Sequence, residues 1–117
     1  MSRNTLRILV LIFGIITALV HLYYLGFRSL GDPNAMPPGI LFVLNGLAYI
    51  VLIVVVAFDL LPKQRALAHY ALIAFTAVTI IAYFVVNKGI GGPLGWITKL
   101  DEMALIIVTY LHLKAPA

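Results

Sequence analysis

Apolar positions in this chain gather into four long blocks separated by short polar breaks. The first runs from Leu6 to Phe27, LRILVLIFGIITALVHLYYLGF, and the second from Gly39 to Leu61, GILFVLNGLAYIVLIVVVAFDLL. The third is Leu67 to Val86, LAHYALIAFTAVTIIAYFVV, and the fourth covers roughly Ile97 to Leu113. Transmembrane β-strands would be about ten residues long with strict alternation. These blocks are longer, and their polar residues recur at helical intervals, so the pattern predicts four helices, at about 6–27, 39–61, 67–86 and 97–113. The breaks agree. Asp32-Pro33 and Pro37-Pro38 interrupt the chain before block two, with Pro38 suited to a first helical turn. PKQRA is too short to join anything but antiparallel neighbours, and NKGIGGPLGW is a glycine-rich turn without the spacing of a phosphate-binding loop.

Within each block the polar residues keep to one stripe. Block one carries Thr17, His21, Tyr24 and Arg28; block two carries Asn45, Tyr49 and Asp59. Block three carries His69, Thr76, Tyr83 and Asn87; block four carries Thr98, Glu102, Thr109 and His112. The spacing is close to a heptad, so each helix presents a narrow polar seam on an otherwise aliphatic surface. Lipid cannot satisfy such groups, and the seams are expected to face one another inside an antiparallel bundle of four transmembrane helices. Counting inward from the block ends places His21, Asn45, Thr79 and Glu102 in one outer layer, with Tyr49 and Tyr83 beside it. Asp59, His69, Tyr70 and His112 form an inner layer near the opposite boundary. Tyr23, Tyr24, Tyr70, Tyr110 and Trp96 suit aromatic belts at the interfaces.

Composition strengthens the membrane reading. Of 117 residues, 63% are hydrophobic and only 10% are charged. A soluble domain carries about a quarter charged residues, and mean hydropathy here is +1.10. The net charge of +4 comes from Lys and Arg dispersed at block ends, a pattern of membrane topology rather than of nucleic-acid binding. Arg3, Arg7, Lys63, Arg65 and Lys114 fall on the side of the termini, against Arg28, Lys88 and Lys99 on the other. That bias predicts that both termini are cytoplasmic. The N-terminus imitates a signal peptide, but its apolar run is long and no A-x-A site follows, so it reads as a retained first helix. The chain has no cysteine, which removes disulfides, thiol catalysis and cysteine-held clusters.

Block four poses a problem. Asp101 and Glu102 stand side by side near its start, and only Met103 to Leu113 is free of charge. Eleven helical residues span about 17 Å, against a bilayer core of about 30 Å. One reading makes both acids part of a helix start at the interface, with Thr98 as N-cap, Asp101 completing a capping box and Lys114 snorkelling. The other submerges Glu102 in the bundle, paired with His21.

No Ser-His-acid or metalloprotease pattern is present, and no catalytic residue is expected. Metal binding is set aside because the three histidines lie at different depths. His69 and His112 match in depth, as bis-histidine ligation of haem b would need. A histidine, an acid and tyrosines in one membrane layer could hydrogen-bond a quinone or pass protons.

HLYYLGF at the end of block one and GPLGWITKLDEMALI at the start of block four resemble stretches of small four-helix prokaryotic integral membrane proteins. That resemblance implies the four-helix count and brings no activity with it.

The expected function is therefore that of a non-catalytic accessory or stabilising subunit, with no cofactor of its own. It would dock through its apolar exterior to other integral membrane subunits of a larger complex, a respiratory or photosynthetic electron-transfer assembly being the favoured host. The alternatives are a haem b- or quinone-binding redox protein and a small proton- or ion-conducting homo-oligomer.

Overall fold

Ser2 starts the first helix: its Oγ accepts the Thr5 N–H at 3.1 Å, an N-cap worth about 1 kcal/mol. The computed structural model describes residues 1–35, 38–86 and 92–116, which contain helices and no strand. Helix α1 is Arg3–Leu19 and continues as a π-helical segment, Val20–Phe27. Helix α2 is Gly39–Ala57, α3 is Arg65–Val86 and α4 is Pro93–Lys114. A single 3₁₀ turn, Pro62–Gln64, precedes α3. Asn87 and Lys88, named above on sequence grounds, lie outside the described residues.

Three helical stretches, Arg3–Phe27, Gly39–Ala57 and Pro62–Val85, are long and apolar enough to cross a membrane. Helix α4, at 22 residues, falls within their range of 19 to 25 but carries Lys99, Asp101 and Glu102. It begins four residues earlier than the apolar pattern predicted, because Pro93 occupies the first turn, where a missing N–H costs nothing. The capping box is thereby replaced. Gly92 is the N-cap, and the Thr98 hydroxyl donates to Leu94 O at 2.7 Å from within the helix.

Helix α2 ends at Ala57, four residues before the end of its apolar block. Asp59 adopts φ 49°, and around it Leu60 N–H donates to Val55 O at 3.1 Å and Asp59 N–H to Val56 O at 3.3 Å. These bonds form a Schellman motif with aspartate where glycine usually stands. Leu60 and Leu61 are exposed beyond it, so hydrophobicity alone overestimated the helix.

The π-helical segment alters the seam of the first helix. The buried positions run Thr17, His21, Gly26, a step of four and then of five, as i→i+5 geometry requires. His21 Nδ1 lies 2.8 Å from Thr17 O, and Val20 N–H bonds to the same carbonyl. A side chain thus enters the backbone ladder where the α geometry stops. Tyr24 and Arg28, expected on the same seam, are rotated outward, with the Arg28 guanidinium stacked over the Tyr24 ring.

The helices pack in a square, each against its sequence neighbours and α1 against α4. Cross-contacts fix the direction. Arg7 meets Ala57 and Gly46 meets Leu22 between α1 and α2. Asn45 meets Thr79 between α2 and α3, His69 meets His112 between α3 and α4, and Arg3 meets Ala115 between α1 and the end of α4. Every adjacent pair is antiparallel. The apolar core, including Val10, Ile53, Val56, Leu72, Leu105 and Val108, fills the middle of a body 48 Å long.

The backbone of α2 approaches that of the π-helical segment closely at Gly46, where a Cβ would lie 2.8 Å from Leu22 N and 2.9 Å from Leu22 Cα. Backbone cannot swing aside as a side chain can. Gly46→Ala is expected to destabilise the protein by about 1–3 kcal/mol through overpacking, whereas Gly31→Ala, with nothing within 4 Å, should be close to neutral. Denaturant unfolding in detergent micelles, followed by circular dichroism, measures both.

Candidate functional site: two buried polar layers

Glu102 stands nine residues inside α4 and is completely buried. It lies well past the first turn of α4 and is not part of the helix start. A carboxylate taken out of water must be paired or neutralised. Its Oε1 accepts from Lys99 Nζ, one turn earlier on the same helix, and its Oε2 accepts from the Tyr49 hydroxyl at 3.2 Å, which reaches across the bundle from α2. Lys99 is itself only 3% exposed, and its ammonium lies 4.9 Å from the centre of the Tyr83 ring. Cation, carboxylate, phenol and aromatic face therefore close on one another across three helices.

His21 belongs to this layer but is not the partner of Glu102. A carbonyl only accepts, so Nδ1 carries the proton given to Thr17 O. The imidazole packs against the rings of Tyr49 and Phe42, at centroid distances of 5.8 and 6.1 Å. Asn45 Nδ2 donates to the Thr79 hydroxyl at 3.3 Å. The structure thus brings His21, Asn45, Tyr49, Thr79, Tyr83 and Glu102 into one region. It adds Lys99, which the sequence places inside the fourth helix but counts only as a topology charge. The i,i+3 spacing of Lys99 and Glu102 was the available signal. Asp101 lies on another face of α4 and is only half-buried.

At the other end of the bundle, His69 and His112 touch. His69 Nε2 lies 2.7 Å from His112 Nδ1, with the rings 15° from parallel. His69 Nδ1 lies 2.7 Å from Arg65 O, so with both rings neutral the proton order follows. His69 donates from Nδ1 to the carbonyl, and His112 donates from Nδ1 to His69 Nε2. His112 Nε2 then keeps a bare lone pair, fully buried and without a hydrogen-bond partner among the described residues.

Arg65 holds this end together. Its Nε donates to Asp59 Oδ1 at 2.7 Å, and its two terminal nitrogens donate to Leu113 O at 2.8 Å and His112 O at 2.7 Å. Those carbonyls belong to the last turn of α4 and have no partner within the helix. Arg7 does the same for α2 through Ala57 O at 2.6 Å, and Arg3 donates to Ala115 O at 2.9 Å. Asp59, His69 and His112 each offer a ligand atom, all within 4.8 Å of one another. Tyr70, expected in this layer, points outward and is 47% exposed, because it follows the buried His69 by one residue on α3.

Between the layers lies a largely apolar belt in which Val10, Ile53, Leu72 and Leu105 are all at most 1% exposed, with the buried Thr17 and Thr109 at the same level. Thr76 sits at its edge with its hydroxyl given to Leu72 O at 2.8 Å.

The two candidate ligands fit differently. Two iron–nitrogen bonds of about 2 Å each would hold facing imidazole nitrogens about 4 Å apart. His69 and His112 are in direct contact, so haem between them requires the rings to part. For a quinone, one surface depression is lined by Leu60–Gln64 and another by Met1–Asn4, Arg7 and Pro116. Neither includes a residue of either layer.

Scanning family models, curated proteins and solved structures returned no match to this chain.

Removing one member of a buried ion pair strands the other charge. Lys99→Met is expected to cost about 3–5 kcal/mol, and Lys99→Met with Glu102→Leu should recover most of that loss. A double-mutant cycle on unfolding free energy measures the coupling. A change in the single variant within about 0.5 kcal/mol, the usual range for surface substitutions, would remove the pair from its structural role.

Proposed function

We propose that all four helices cross a membrane and that the protein serves as a non-catalytic, accessory subunit of a larger membrane complex. The observation that carries this reading is how the interior polar groups are used. Lys99, Glu102, Tyr49, Asn45, Thr79, His69 and Arg65 bond chiefly to one another and to helix ends. That is what a bundle needs to fix helix partners in a solvent without hydrogen bonds. The outside supports the same reading. Large apolar side chains such as Ile12, Leu19, Val51, Leu67, Val78 and Ile107 are 47–66% exposed, far more than an aqueous surface carries in one continuous band.

Helix α4 joins the other three as a spanning element under this reading. Its 22 residues reach about 33 Å, and its two most awkward charges neutralise each other inside the bundle. Lys99 therefore drops out of the topology count. Arg28 and Lys88 remain against Arg3, Arg7, Lys63, Arg65 and Lys114, which strengthens the assignment of both termini to the cytoplasm.

Conduction by a homo-oligomer is the weaker reading. The two ionisable layers are separated by the Val10, Ile53, Leu72 and Leu105 belt, and between them the described residues offer only the hydroxyls of Thr17, Thr76 and Thr109 and no ionisable side chain.

Two measurements test the proposal. Because the native chain has no cysteine, single thiols report topology cleanly. Ser2→Cys, Lys63→Cys and Pro116→Cys should react with an impermeant maleimide from the cytoplasmic side, and Gly31→Cys from the other. Native mass spectrometry after gentle extraction should give a hetero-complex well above the 12.8 kDa of the chain. A lone chain, or a homo-oligomer that raises proton flux in liposomes, would overturn the accessory role.

A further inference from the structure

The cluster formed by Asp59, His69 and His112 is more elaborate than helix packing requires. Asp59 is held in the left-handed region, which costs a non-glycine residue about 1–2 kcal/mol. An asparagine or glycine would end α2 there with less strain. Its carboxylate lies on the same side as two imidazoles from α3 and α4, with one ligand atom from each of the three residues inside a 4.8 Å envelope. His112 Nε2 is buried and bare.

We propose that Asp59, His69 and His112 form a binding site for one divalent transition-metal ion of the zinc type. The donor set, two imidazoles and one carboxylate, is the chemistry such ions select over calcium or magnesium. The surroundings match what a metal site needs beyond its ligands. His69 Nδ1–H is fixed on Arg65 O, which leaves Nε2 as the donor nitrogen. Asp59 Oδ1 is held by Arg65 Nε, which leaves the second carboxylate oxygen for the ion. His112 is anchored through its own carbonyl to Arg65. One residue therefore orients all three ligands.

Loading requires the three ligand atoms, now within 4.8 Å of one another, to converge on one point. Two nitrogens on a tetrahedral ion, each bonded at about 2.0–2.1 Å, lie about 3.3 Å apart. The present His69–His112 separation is 2.7 Å, so the ion replaces the shared hydrogen bond and the rings part by well under 1 Å. The His112 proton moves from Nδ1 to the bare Nε2; both rings stay neutral and no electron is transferred. Asp59, with a side chain 20% exposed at the α2–α3 turn, provides the entrance from water. A solvent molecule completes the fourth position. This site does not depend on the identity of any partner complex.

Cobalt(II) is the probe, titrated into the full-length, metal-free protein in detergent micelles. One equivalent should bind with the intense visible absorption of a four-coordinate ion, and zinc should displace it. Asp59→Asn keeps a residue that tolerates the left-handed backbone and removes the charge. It should weaken binding by well over tenfold, about the loss that even an outer hydrogen-bond partner causes. His112→Gln should abolish binding, and His21→Gln, at the far end of the bundle, should leave it unchanged. Helical circular dichroism and a single gel-filtration peak establish that each variant is folded. X-ray absorption of the zinc-loaded native chain, expected to show two imidazoles and additional oxygen, is independent of any variant. Absence of saturable binding, or binding undiminished in folded Asp59→Asn and His112→Gln, or a zinc shell without imidazole, would each overturn the site.

Discussion

A carboxylate sealed from water has to find its counter-charge inside the protein, and Glu102 organises one half of this bundle on that account. Its two oxygens are each taken, one by Lys99 on its own helix and one by Tyr49 from across the interior. The pair fixes the rotation of α4, since both side chains must lie on its buried face. With α4 so turned, Leu105, Val108, Thr109 and His112 face the same way. The position of His112 against His69 is thus linked, through one rigid helix, to an ion pair at the opposite end.

The other half is organised by arginine. Arg3, Arg7 and Arg65 each donate to a carbonyl at or near a helix C-terminus, where the backbone has acceptors and no donors of its own. In sequence these residues read as topology charges. In the bundle they also close helix ends, and Arg65 in addition ties together an aspartate and two histidines. An accessory subunit and a metal site are compatible roles for such an end: both need it to be rigid, and only the second gives a use to an aspartate held in the left-handed region.

The two ends are chemically unlike and are kept apart by packed aliphatic side chains. That separation bears on function more than either cluster does alone. A continuous column of ionisable groups would suit transport, whereas two separate clusters with a largely apolar belt between them suit helix pairing at one level and a localised binding event at the other.

Periodicity and composition by themselves determined the helical class, the four elements and the levels at which Asn45, Tyr49, Thr79 and Glu102 meet, because the spacing of polar residues in an apolar helix states both its face and its depth. They misjudged boundaries where local chemistry overrides hydropathy: at Pro93, which starts α4 early, and at Asp59, which ends α2 early. They misread Tyr24 and Arg28 because a heptad count assumes α geometry, and the π-helical turn at His21 adds a residue to the step. The pairing of Glu102 with Lys99 instead of His21, the contact between His69 and His112, and the hold of Arg65 on both were decided only by tertiary structure. A side chain's partner depends on the rotation of each helix about its axis, and that rotation is set by packing and charge neutralisation across the whole bundle at once.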